Sequence, residues 1–122
     1  MIKLRYEYGL IFCSLDISIN NEEMHLNNVL IDTGSATTLI NSDHMIIDGT
    51  EILENAYGVG GYEAILQKHL DIFKVNDLSI TDFDISLGNM DYGIDIDLLI
   101  GLDVLKALNA DINLKDMKLS FN

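Results

Sequence analysis

The chain is punctuated into short stretches in which apolar and polar residues alternate, and this pattern limits its fold more than any other feature. Leu15, Ile17 and Ile19 alternate with Asp16 and Ser18, the period-two signature of a half-buried strand. Asn20-Asn21-Glu22-Glu23 follows as a turn signal, and a second segment runs from Met24 to Ile31. The pair reads as a hairpin whose second strand ends at Asp32. Further strands are expected at Thr38–Asn41, Ala64–Val75, Leu78–Leu87 and Ile96–Ile100, with a turn at Asn76-Asp77. One short helix is expected at Asp103–Leu108, because Val104, Leu105 and Leu108 share a face at helical spacing. The segment Ala110–Phe121 reads as a closing hairpin turning at Lys115-Asp116. Many short strands and one brief helix predict an all-β fold, a small closed β-barrel with a short C-terminal helix. No internal repeat or linker divides residues 1–122, so a single domain is expected.

Bulk properties narrow the function. The net charge is −13, from 20 acidic and 7 basic residues, and no Lys/Arg cluster is present to neutralise phosphates. Nucleic acid and anionic membranes are therefore not expected as partners. A hydrophobic content of 48% is enough to build a core without disulfides, and the single cysteine, Cys13, can form none within the chain. That usage suits a reducing, cytoplasmic setting, as does the lack of a signal-peptide pattern after Met1-Ile2-Lys3.

The chemistry-bearing string is Val29-Leu30-Ile31-Asp32-Thr33-Gly34-Ser35. An aliphatic strand enters a tight polar turn and leaves through Thr37-Thr38-Leu39-Ile40. Gly34 suits a close backbone approach, and Thr33 and Ser35 supply hydroxyls that can hold a carboxylate. Taken alone, the string fits equally an ordinary turn with Asp at its first position. A second element, Leu98-Leu99-Ile100-Gly101-Leu102-Asp103, is an apolar strand ending in a glycine beneath which another backbone segment could pass. Between them lies Tyr57-Gly58-Val59-Gly60-Gly61-Tyr62, whose glycines make bending cheap.

In this order the segments resemble the retropepsin-like aspartic proteases over nearly the whole chain. The leading hairpin, Asp32-Thr33-Gly34-Ser35, the flap position at Gly58, Val59, Gly60 and Gly61, and the hydrophobic-hydrophobic-Gly element at Leu99-Ile100-Gly101 all take part. Gly101-Leu102-Asp103 stands where viral members carry Gly-Arg-Asp or Gly-Arg-Asn, so the chain is more similar to cellular and bacterial single-domain members. The resemblance implies a barrel of this type and an aspartic endopeptidase cleaving polypeptides with Asp32 as its catalytic residue. It implies that Thr33 ties two active-site loops together, that Gly34 gives its N–H to the carboxylate, and that Ser35 bonds the outer carboxylate oxygen. No cofactor or metal is required.

Acid catalysis of this kind needs two carboxylates at one site, one ionised and one protonated. This chain has one Asp-Thr-Gly string, so the second Asp32 has to come from an identical chain across a two-fold axis. Two other readings use the same residues: a module that holds an extended peptide without cutting it, and a dimerisation domain in which Asp32 only stabilises a turn.

Other constellations carry no comparable signal. His25, His44 and His69 have no metal-ligand spacing and read as surface or half-buried histidines. Cys13 reads as a packed thiol, and Asp91, Asp95 and Asp97 as a solvated acidic edge that misses the calcium-loop spacing.

Overall fold

A computed structural model describes residues 1–45, 52–58, 61–88, 90 and 93–122, with side chains described for all of these except 52–58 and 61–65. Eleven strands, one α-helix and a single 3-10 turn at Ser42–His44 make up the regular structure of the described residues. The strands are β1 (Ile2–Lys3), β2 (Arg5–Glu7), β3 (Leu10–Ile19), β4 (Glu22–Ile31), β5 (Leu39–Asn41), β6 (Ile52–Gly58), β7 (Gly61–Val75), β8 (Leu78–Gly88), β9 (Leu98–Ile100), β10 (Ala110–Asn113) and β11 (Lys118–Phe121). The helix, α1, spans Leu102–Ala107.

Eight strands form one sheet in the order β2-β3-β4-β9-β5-β8-β7-β6, and β3 also pairs with β7. That extra pairing, Ile17↔Val75 to Ile19↔Phe73, closes six strands into a barrel and leaves β2 and β6 as appendages. The fold is thus mostly β with a closed barrel and one short helix, as the alternation predicts. A separate three-stranded sheet, β1-β11-β10, covers one end and brings Ile2 opposite Leu119.

The core is the barrel interior. Cys13, Leu15, Ile17 and Ile19 of β3 point inward with Val29, Ile31, Ile40, Phe73, Ile85, Leu98 and Ile100. Phe73 and Phe83 stack with ring centroids 5.2 Å apart. Turn chemistry fixes the register of the two long hairpins. Asn20 and Asn21 between β3 and β4 both take positive φ, as does Asn76 between β7 and β8, a conformation asparagine tolerates better than most residues.

Several boundaries differ from the sequence expectation. β3 starts at Leu10, and β1, β2 and β6 are strands where none was expected. The helix begins one residue earlier, at Leu102, because Leu105 N–H already reaches Gly101 O at 3.2 Å. Leu114 and Met117, assigned to strands by pattern, belong to the turn between β10 and β11, where Met117 has φ of +53°.

Candidate active site around Asp32

The approach to Asp32 depends on an irregularity in β4. β3 and β4 pair as Cys13↔Val29 and then Leu15↔Leu26, so β4 carries one extra residue at Asn27-Asn28. Before this bulge the even-numbered Leu26 faces the core, with Met24 packed against it; after it the odd-numbered Val29 and Ile31 do. The extra residue therefore turns Leu30 and Asp32 to the outer face of the barrel. The bulged carbonyl of Asn27 accepts from Arg5 Nη2 at 2.9 Å, and Asn28 Oδ1 accepts from the same nitrogen at 3.2 Å. Beyond the bulge β4 keeps its pairing with β3 at Val29 and Leu30 and gains a second neighbour on its other edge. Asn28 N–H donates to Asp97 Oδ2 at 3.0 Å, and Val29, Leu30 and Ile31 then pair in parallel with Leu98, Leu99 and Ile100.

Asp32 continues that ladder by one step, its N–H donating to Ile100 O at 2.9 Å. The next four residues form a compact turn. Ser35 N–H donates to Asp32 O at 3.2 Å, and Gly34 N–H donates to Asp32 Oδ1 at 2.9 Å. Gly34 thus holds the carboxylate as the resemblance implies. Ser35 does otherwise in this chain: its hydroxyl donates to Thr37 O at 2.7 Å, bracing the loop instead of the Asp32 carboxylate. Asp32 is half-buried, while Thr33 and Gly34 are exposed at the tip.

Gly101 locks this loop in place. A β-carbon added there would lie 2.4 Å from Thr37 O, 2.7 Å from Thr37 C and 2.8 Å from Ser35 O, all backbone atoms that cannot swing aside. The 35–37 backbone crosses against the glycine, as its position at the strand end suggested. Leu102 N–H donates to Ser35 O at 2.8 Å and fixes the crossing.

One functional residue went unassigned in the sequence. Asp103, in the first turn of α1, accepts from Thr38 N–H at 3.1 Å through Oδ2 and from Thr38 Oγ1 at 2.6 Å through Oδ1. Thr38 is fully buried and its Oγ1 accepts from Gly101 N–H at 3.0 Å. Asp103, Thr38 and Gly101 therefore clamp the loop that carries Asp32. An acid in a first helical turn signalled only a favourable interaction with the helix dipole, and nothing local pointed 65 residues back to Thr38.

Beside Asp32 the outer face is apolar. Phe12, Leu30, Met90 and Ile96 form a second buried cluster, with Leu39, Ile94 and Leu99 packed against it. Of the expected flap residues, Gly58 and Gly61 stand opposite each other at the end of the β6–β7 hairpin, whereas Val59 and Gly60 lie outside the described residues.

The three histidines each meet a nearby carboxylate. Asp97 Oδ1 meets His44 Nε2 at 2.9 Å, so both of its oxygens serve the scaffold. Asp91 lies outside the described residues. A hydrogen bond to Asp16 Oδ1 at 2.6 Å raises the pKa of exposed His25 above its ordinary value. Asp84 does the same for His69, which also has Asp82 and Asp71 carboxylate oxygens 3.6 and 3.9 Å from Nε2. Burial pushes the Cys13 thiol up to about 12, as fits a packed and unreactive side chain. A concavity of about 790 Å³ at the opposite end of β3 and β4, bounded by Asp16, His25 and Lys74, holds none of the residues that surround Asp32.

No protein-family model matches the chain, and no curated protein matches it. Among the described residues, no helix is long and apolar enough to cross a membrane.

Proposed function

We propose that this chain is a retropepsin-like aspartic endopeptidase that acts as a homodimer, with Asp32 of each protomer supplying one of two catalytic carboxylates. The observation that carries the reading is the threading of the Asp32 loop against Gly101, clamped by Thr38 and Asp103. An ordinary turn needs Asp32 Oδ1 and the Gly34 N–H, and it is satisfied by them. It needs no crossing backbone, no clamp from a distant helix and no bulge that turns the aspartate outward beside an apolar surface.

In this mechanism two Asp32 carboxylates share a proton across the two-fold axis, since like charges about 3 Å apart do not both ionise cheaply. The ionised member takes a proton from a water between them, and the protonated member donates to the scissile carbonyl. The pair titrates as a unit, so either copy fills either role. The Gly58–Gly61 hairpin closes over the substrate backbone and excludes water. The chain needs no metal or cofactor for this reaction.

The test compares wild type with Asp32→Asn on a peptide library from acidic to neutral pH. Asn keeps an oxygen to accept from Gly34 N–H, so the fold survives while the ionisable base is lost. Cleavage by wild type and at least a thousandfold loss in the variant are expected. Equal cleavage by both, or binding without cleavage by either, would sink the reading. The second of these outcomes favours the peptide-holding module, to which the part-exposed edge of the outer cluster at Leu39, Ile94 and Leu99 is equally suited.

A further inference from the structure

Next to the outer apolar cluster, the β2–β3 hairpin and the segment before β9 enclose a cleft of about 310 Å³. Its floor includes Phe12 and Ile94, Asn28 closes one side, and Glu7, Tyr8 and Asp95 stand around the rim. The volume is at the lower end for small-molecule clefts and suits one long side chain.

The cleft lies on the same outer face as Asp32. Phe12 is the cross-strand partner of Leu30, and Asn28, Leu30 and Asp32 succeed one another on that face of β4. Asn28 lies four residue steps before Asp32, about 13 Å at the usual rise of a strand. An extended peptide crossing Asp32 would bring a side chain three or four residues from the scissile bond to this cleft.

The rim sets the charge of that side chain. Arg5 Nε holds Glu7 Oε1 at 2.9 Å, while the Arg5 guanidinium is committed through Nη2 to the Asn27 carbonyl and Asn28. Asp95 is exposed and has no hydrogen-bond or ion-pair partner among the described residues. Counting Arg5, the rim keeps one net negative charge, on a chain whose own net charge is −13. Tyr8, 75% exposed, adds an aromatic face that attracts a cation. The combination calls for an aliphatic stem to lie between Ile94 and Tyr8 and a positive head to meet Asp95.

We propose that this cleft is a specificity subsite for a lysine or arginine side chain of the polypeptide substrate, set three or four residues from the cleaved bond. The proposal rests on the endopeptidase reading for its register, and on the cleft alone for its chemistry. A matched set of peptides carrying Lys, Met or Glu at each position from two to five residues on either side of the scissile bond tests it. Cleavage is measured with wild type, Asp95→Lys and Asp111→Lys, the last an exposed acid on β10 that makes the same change in net charge. Binding of the same peptides to Asp32→Asn is followed in parallel by fluorescence anisotropy, with and without Asp95→Lys.

At one position three or four residues out, Lys should exceed Glu in kcat/KM by on the order of five- to tenfold at low salt, with Met between them. The preference should shrink as salt rises, reverse in Asp95→Lys and persist in Asp111→Lys. Cleavage indifferent to charge at every position, or a lysine preference equally lost in Asp111→Lys, overturns the subsite while leaving the protease reading in place. If nothing is cleaved but Asp32→Asn binds the Lys peptide more tightly than the Glu peptide, and Asp95→Lys abolishes the difference, the protease reading fails and the subsite stands.

Discussion

Gly101 is the residue on which the site's geometry turns. Its missing side chain is filled by the backbone of Thr37 and Ser35, so no rotamer change can make room for even one methyl group. Gly101→Ala should destabilise the protein by about 2–3 kcal/mol, measured by urea unfolding, and should reduce activity more than stability accounts for. An unchanged midpoint with normal activity would mean that the crossing is looser than described. Asp32 and Gly101 were both legible as sequence, since each sits where an aliphatic strand stops at a turn residue. Asp103 was not, because a side-chain bond to Thr38 leaves no mark on the local pattern at either end. Ser35 was legible as a loop hydroxyl, but its bond to Thr37 O required the actual path of the backbone.

At the level of elements, the β4 bulge and the first turn of α1 decide where the aspartate points. The bulge left a trace that could have been read. Apolar positions run Met24, Leu26 and then Val29, Ile31, a change of parity across Asn27-Asn28 that one unbroken strand does not produce. β1, β2 and β6 escaped notice for a different reason. They are appendages to the barrel or parts of the small end sheet, and the first two are only two and three residues long, too short for any period to show. The clamp from α1 gives a prediction at this scale. Asp103→Ala leaves the buried Thr38 N–H and hydroxyl without their acceptor and should cost about 2–4 kcal/mol by thermal or chemical unfolding. Asp103→Asn, which keeps one acceptor oxygen, should lose less. Wild-type stability in Asp103→Ala would show that this clamp contributes nothing to the fold.

For the whole molecule, the alternation foretold a closed barrel but not which strands close it. The β3–β7 pairing joins segments that no turn connects, and it is fixed by packing of Ile17 and Ile19 with Phe73 and Val75 and by bonds such as Asn20 N–H to Ile72 O and Asn76 N–H to Asp16 O. The surface charge bears on assembly. In the proposed homodimer two chains would bring together twice −13, or −26, and this repulsion is strongest when salt is scarce. Dimerisation should therefore tighten as salt rises from low to moderate concentration, as followed by analytical ultracentrifugation. No response to salt, or a tighter dimer in low salt, would count against a shared Asp32 site between like-charged protomers.

The placement of β9 also governs how such a chain comes to be built. β4 and β5 are close in sequence but are held apart by β9, which arrives from residues 98–100 and pairs with both. As the chain leaves the ribosome, the slot beside Asp32 stays open, with two unsatisfied strand edges, until about 70 further residues have been made. Closing that gap is a contact between distant parts of the chain, a kind that forms more slowly than a local hairpin. The Asp32 loop of a nascent chain thus takes its final shape only once residues 98–101 have emerged.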